Sequence, residues 1–146
     1  AQAQLAAGDA ETALATARQA VDMYEALRKP EEPEQPDFTD ALDGLGRVLV
    51  ATGRPADAEP LYERAIEIAG RISPPDALKL AVLHARQAHA IAARDPEGAR
   101  RLLAESVADV RARRGPHSRL AASLELGPAG AATDPGAQHG APLAPR

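Results

Sequence analysis

The chain has 146 residues, enough for about one domain, and carries a net charge of -4 with an acidic first half and a basic second half. Apolar residues make up 45% of it, but 35 residues are alanines, and there is no Trp or Cys, one Phe and two Tyr. This composition excludes a disulfide scaffold and a thiolate metal site, and it disfavours an aromatic-lined cofactor pocket. Because alanine is the best helix former and a poor strand former, the composition predicts closely packed helices.

Glycine and proline residues divide the chain into seven predicted helices. Pro55, Pro74 and Pro96 suit the first position of a helix, where the missing N–H costs nothing. Gly53 and Gly115 suit the left-handed residue that follows a helix end. The predicted helices cover residues 1–7, 10–29, 38–52, 55–72, 76–93, 96–114 and 117–126. A low-complexity tail, predicted to be disordered, covers residues 127–146.

Internal repetition is the strongest long-range signal in the sequence. Shifts of 45 and then 41 residues superimpose three helix–turn–helix units, the first with its turn at Gly8-Asp9. The aligned apolar positions step by three and four residues, which is the spacing of one helix face. Three of the aligned triplets are Ala13/Ala58/Ala99, Ala17/Tyr62/Leu103 and Val21/Ile66/Val107. Repeats of this length predict a solenoid, in which each helix pair packs on its neighbours.

The middle unit carries the most specific pattern. Its characteristic residues are Leu42, Leu45, Gly46 and Leu49 in the first helix, Gly53 at the turn, and Ala58, Tyr62 and Ala65 in the second helix. With leucine in place of the Trp and the first Tyr, they match W-x2-L-G-x2-Y followed by A-x3-F, so the unit resembles a tetratricopeptide repeat. The stretch from Ala58 to Ile68 is similar to the longer-linker subtype found in kinesin light chains and many bacterial repeat proteins.

The resemblance implies an all-α fold, a right-handed α-solenoid of antiparallel helix pairs, over residues 1–126. The sequence divides this domain into a partial first repeat, a best-matching repeat, a degenerate repeat and a capping helix, at residues 1–29, 37–72, 76–114 and 116–126. Such an array with a low-complexity tail is similar to the carboxy-terminal repeat regions of large bacterial proteins, including serine/threonine kinases and transcriptional regulators. We therefore expect a bacterial, cytoplasmic segment of a larger polypeptide.

The family implies a protein-protein interaction module, a scaffold without catalytic activity that holds a peptide or partner helix in its concave groove. By their positions in the repeats, seven residues are predicted to line that groove: Asp40, Asp43, Arg47, Val50, His84, Gln87 and Ile91. The paired acids Asp40 and Asp43 predict a partner with a basic or N–H-rich segment. Three alternatives stay open: self-association, docking on upstream repeats of the same chain, and a regulatory appendage of a bacterial kinase or transcriptional regulator.

No sequence motif predicts catalysis, a metal site or a bound cofactor. His84 and His89 are five residues apart, about 140° around a helix, so they are not placed to chelate one ion together. Gly44 and Gly46 lie inside a helical pattern with no preceding strand, unlike the glycines of a dinucleotide-binding loop. We therefore expect no enzyme activity in this chain.

The one basic cluster does not predict a nucleic-acid site. It consists of Arg100, Arg101, Arg111, Arg113, Arg114 and Arg119. No aromatic residue is interleaved with these arginines, and three acidic residues share their helix, so nucleic acid is not expected as a partner. No stretch approaches the length of a membrane span, and no membrane contact is expected from this segment.

Overall fold

The computed structural model describes residues 2–29, 35–72 and 74–133. These residues form α1 (Gln2–Leu27), α2 (Pro36–Ala51), α3 (Pro55–Arg71), α4 (Ala77–Ile91), α5 (Pro96–Arg114) and α6 (Arg119–Thr133). Within these three ranges no residue lies in a β-strand. Short turns pair α2 with α3 and α4 with α5, and α3 packs on α4 to join the two pairs. The predicted all-α solenoid of antiparallel helix pairs is confirmed.

The turns between consecutive helices contain several of the residues that the sequence indicated. Pro55 and Pro96 stand at the starts of α3 and α5. The prediction for Pro74 is wrong, because α4 begins at Ala77, where the Asp76 carboxylate accepts a hydrogen bond from the Lys79 amide. Gly53 and Gly115 adopt φ values of 83° and 103°, in the left-handed region that favours glycine. The helix boundaries in this part of the chain therefore follow from local backbone chemistry.

The predicted turn at Gly8-Asp9 is wrong, because α1 is one continuous helix through these residues. At the two real turns, Pro55 and Pro96 lack an N–H and disfavour helical geometry in the residue before them. The aligned residue of the first unit is Ala10, which continues a helix readily. The described part of the first unit therefore supplies a single helix.

Helical backbone also continues beyond the predicted end of the folded region. After a break at Gly127, where φ is 75°, α6 extends to Thr133, whereas the sequence placed a tail from residue 127 onward. A Cβ atom at Gly127 would lie 2.8 Å from Cε1 of His89, so the break sits directly against α4. The rest of the predicted tail, residues 134–146, lies outside the described residues.

Two hydrophobic clusters share helix α4. The first joins α1, α2, α3 and α4, and it includes Leu83 and Ala90 of α4. The second joins α4, α5 and α6, and it includes Ala81 and Ala85 of α4. The repeat residues Leu42, Leu45, Gly46, Leu49, Ala58, Tyr62 and Ala65 are all buried, and Gly53 is exposed at its turn. Burial of these small and large residues together is what the repeat pattern predicts.

Helices α2 and α3 approach most closely where Gly46 faces Tyr62. A Cβ atom at Gly46 would lie 2.7 Å from Cζ of Tyr62, closer than carbon atoms can pack. The Tyr62 ring is 1% exposed and belongs to the first cluster. A glycine in α2 therefore makes room for the largest fully buried side chain of the core.

Helix α1 is held to this core by aromatic and charged contacts near its end. The rings of Tyr24 and Phe38 stack with their centroids 5.7 Å apart, and the Arg64 guanidinium lies 4.7 Å from the Phe38 ring centroid. Arg64 also forms an ion pair with Glu25 of α1. Earlier in α1, Ala13 is exposed although the aligned alanines of α3 and α5 are buried.

Candidate interaction groove

Helices α2, α4 and α6 contact one another and enclose a groove between them. A cavity of about 210 Å³ lies in this α2–α4–α6 groove. Its lining consists of Asp40, Asp43, Asp76, Leu78, Lys79, Val82, Leu83, Arg86 and Leu120. The first helices of the two pairs therefore contribute to one surface together with α6, and a solenoid of this kind presents its binding face on such a surface.

The most buried charges of the groove form an ion pair between α2 and α4. Arg86 Nη1 donates a hydrogen bond to Asp43 Oδ2, and the two side chains are 19% and 13% exposed. Asp43 Oδ1 is buried and has no hydrogen-bond partner. Burial raises the pKa of Asp43 above its ordinary value, and the opposing charges of Arg86 and Arg47 only partly offset this. The pair therefore couples two helices as well as lining the groove.

A second polar contact joins the same helices at the groove edge. Lys79 Nζ lies 3.2 Å from Asp40 Oδ1 and donates a hydrogen bond to Thr39 Oγ1 at 3.1 Å. Thr39 is fully buried, and its hydroxyl donates to the Pro36 carbonyl oxygen at 2.6 Å. Asp40 and Asp43, which the sequence predicted to bind a basic or N–H-rich partner segment, therefore each lie opposite a cation of α4.

The predicted groove residues of α2 lie on or near this surface. Asp40 and Asp43 line the cavity. Arg47 is exposed, and its charge acts on the carboxyl of Asp43 one turn earlier. Val50 is partly buried and packs against the first hydrophobic cluster.

The predicted groove residues of α4 are not brought together with those acids. His84 lines a different cavity, between α4 and α5. Gln87 and Ile91 follow His84 by three and seven residues and therefore share its side of α4. Residues two apart on a helix point about 200° apart, so His84 lies on the opposite side of α4 from Arg86.

A shift in repeat register explains this correction. The shift that carries the buried positions of α2 onto α4 is 39 residues, which places Leu42, Gly46 and Leu49 on Ala81, Ala85 and Ala88. The sequence alignment used 41 residues, and the two extra residues rotate the predicted face by about 200°. The turn before α5 is also longer than the turn before α3. His84, Gln87 and Ile91 are therefore corrected to the far side of α4.

Sequence reasoning missed Lys79, Val82, Arg86 and Leu120 as groove residues. The shift of 39 residues places Asp40 on Lys79, so side chains of opposite charge occupy equivalent positions in adjacent units. This alternation of charge between repeats is the sequence feature that could have identified Lys79 as a groove residue. It can be recognised only when the register of α4 is known.

The described side chains include no group of three or more His, Asp or Glu residues placed to hold a metal ion. In the same part of the chain, no helix has the length and apolar character needed to cross a bilayer.

Comparison with known proteins identifies one segment. The family model described as Tetratricopeptide repeat matches residues 39–76, which include most of α2, all of α3 and the connection to α4. No curated protein and no solved structure matches the chain. Tetratricopeptide repeats are generally not catalytic and indicate protein-protein interaction, so the match supports protein partners.

Proposed function

We propose that this chain is a protein-protein interaction module without catalytic activity, and that it binds a peptide or partner helix in the α2–α4–α6 groove. The observation that carries the proposal is the position of the groove. Helix α2, which lies in the segment matched to a tetratricopeptide repeat, lines the groove together with α4 and α6. A surface built from successive first helices suits a ligand that runs across the repeats.

The ion pairs change the kind of partner that we expect. Asp43 is paired with Arg86, and Asp40 lies close to Lys79, so the groove is not a purely acidic surface. Val82 and Leu120 add half-buried apolar surface to the lining. We infer an amphipathic partner segment, with apolar side chains as anchors and charges of both signs at its edges, in place of the predominantly basic segment.

Charge reversal on the groove tests this proposal. Peptides selected from a random display library on the 146-residue chain would be synthesised, and their affinities measured by fluorescence anisotropy. We expect the double variant Asp40→Lys/Arg47→Glu to weaken binding about tenfold or more, because both side chains are exposed and would present like charges to the selected peptide. Asp43 is left intact, since reversing a buried charge opposite Arg86 would disturb the fold.

Glu11→Lys provides the matched control, because Glu11 is an exposed acid on α1 away from the groove. This variant should bind the selected peptides as the unaltered chain does. Equal affinity for the double variant and the control would refute groove binding.

Self-association is a second candidate, favoured by an exposed apolar pair on α1. Met23 and Leu27 are 58% and 72% exposed and lie one helical turn apart, so they share a face. If this face joins two copies, light scattering should show a mass that rises with protein concentration, and Met23→Glu/Leu27→Glu should return the chain to a monomer. A strictly monomeric unaltered chain at all concentrations would exclude this candidate.

The kinesin-light-chain-like subtype, the bacterial and cytoplasmic assignment, and the link to kinases or transcriptional regulators stay predictions. None of them enters the two experiments above.

A further inference from the structure

A second and larger cavity lies between α4 and α5, on the side of α4 away from the groove. Its volume is about 430 Å³, within the range of ligand-binding clefts. Its lining consists of Ala77, Leu80, Ala81, His84, Leu102, Glu105, Ser106 and Asp109. We call this cavity the α4–α5 cleft. Leu80 packs against the first hydrophobic cluster and Ala81 belongs to the second, so the cleft lies at the seam between them.

The cleft exists because small side chains stand where two helix faces meet. Ala77 and Ala81 leave space that larger residues would fill. Every residue that lines the cleft belongs to α4 or α5, and no described residue of α3 is among them. The hydroxyl of Ser106 donates to the Leu102 carbonyl oxygen at 2.7 Å, so it is already used within α5.

The charged residues of the cleft have one sign. Its lining includes the carboxylates of Glu105 and Asp109 and no lysine or arginine. Asp109 accepts a hydrogen bond from Arg113 at 3.0 Å on the exposed surface, whereas Glu105 is exposed and has no ion-pair partner among the described residues.

We propose that the α4–α5 cleft binds a basic side chain, arginine or lysine, presented by a partner polypeptide. The aliphatic stem of such a side chain fits the apolar walls formed by Leu80, Ala81 and Leu102, and its cationic head reaches the carboxylate of Glu105 at the mouth. The chemistry differs from that of the groove, where acids and bases are already paired. This site also lies on the other side of α4, so the two surfaces can be tested separately.

The test uses the full 146-residue chain labelled with ¹⁵N and three small probes. Two are capped tripeptides, Ala-Arg-Ala and the same peptide with citrulline, which keeps the shape of arginine but is neutral. The third is butylguanidine, which supplies the cation and stem without a polypeptide. We expect the arginine peptide to shift the amide signals of Ala81, His84 and Ser106 in a saturable way, with the citrulline peptide binding about fivefold more weakly or worse.

Two variants and a control decide the outcome. Glu105→Gln should weaken binding of the arginine peptide about fivefold, and Ala77→Phe should abolish it by filling the cleft. Glu97→Gln removes the same charge from an exposed position near the start of α5 and should leave binding unchanged. Shifts confined to other surfaces, equal binding of the citrulline peptide, or no saturable shift would overturn the proposal. Butylguanidine binding as tightly as the peptide would assign the cleft to free cations instead.

Discussion

Replacing Arg86 with methionine should lower the free energy of unfolding by about 3–5 kcal/mol at neutral pH. The replacement keeps an aliphatic side chain of similar length but leaves Asp43 as a buried carboxylate without its cation. Removing one member of a buried pair is costly because the remaining charge has lost both water and its partner. Urea denaturation followed by circular dichroism at 222 nm measures this change, since most of the described residues are helical.

The destabilisation should also depend on pH, in a direction set by Asp43. Its pKa in the folded protein lies above the ordinary value of 3.8, mainly because it is buried. The folded protein therefore binds the proton of Asp43 more tightly than the unfolded chain does. The stability that this proton contributes is fully present below the ordinary pKa and is lost as the pH rises through the folded pKa. Without Arg86 the folded pKa rises further. The stability difference between the variant and the unaltered chain should thus be larger at pH 7 than near pH 4.

A rescue variant separates this electrostatic effect from loss of packing. Arg86→Met/Asp43→Asn carries no buried charge and should recover most of the lost stability. Arg71→Met is the matched control, because Arg71 forms an ion pair with Glu67 in which both side chains are largely exposed, and its loss should cost less than about 1 kcal/mol. If Arg86→Met cost no more stability than Arg71→Met, the Asp43–Arg86 pair would have no structural role. The same conclusion would follow if the double variant were as unstable as Arg86→Met alone.

The features that the sequence predicted well are those determined by nearby residues. Pro55 and Pro96 each begin a helix, because proline suits the first helical position and disfavours helical geometry in the residue before it. Gly53 permits a backbone conformation that other residues rarely adopt. The middle repeat combines a glycine in one helix with a tyrosine in the next, and this pairing is typical of two helices that approach closely. Those constraints are local, so a single sequence is enough to read them.

The register of α4 could not be predicted in the same way. Alanine occupies positions 77, 81, 85, 88, 90, 92 and 93, so several alignments place a small residue at the close-packed positions. Buried Ala81, Ala85 and Ala88 distinguish the correct register only after the helices are packed. The groove residues of α4 depend on that register, which is why Lys79 and Arg86 were missed while Asp40 and Asp43 were found.

The continuous helix α1 shows a second limit of local reasoning. Gly8 is aligned with Gly53 of the middle unit, but glycine alone does not end a helix. It costs about 1 kcal/mol relative to alanine in a helix interior, whereas proline costs about 3 kcal/mol. The turn required the proline that follows it, and Ala10 stands there instead.

Truncating Tyr62 to alanine should lower the free energy of unfolding by about 3–5 kcal/mol, the range found for large aromatic side chains removed from a core. The ring is 1% exposed, and on the α2 side it faces Gly46, which has no side chain to fill the space left behind. The hydroxyl contributes little, because it donates to the Asp43 carbonyl oxygen at 3.5 Å, the outer limit of a hydrogen bond. Burial raises its pKa above the ordinary value, so it stays neutral. Tyr62→Phe should therefore cost less than about 1 kcal/mol.

The close approach of Gly46 and Tyr62 provides a sharper test of the same packing. Gly46→Ala should cost about 1–3 kcal/mol, because the new Cβ atom would overlap the tyrosine ring. In a Tyr62→Leu background the overlap is removed, so the same change should cost much less, and the difference measures the coupling between the two positions. Tyr24→Ala is the control for loss of an aromatic ring, since Tyr24 is only half-buried and lies in α1. Two results together would contradict this packing: a cost for Tyr62→Ala no greater than that for Tyr24→Ala, and an equal cost for Gly46→Ala in both backgrounds. In that case α2 and α3 would not pack as a repeat pair, and the groove that α2 lines would lose its structural basis.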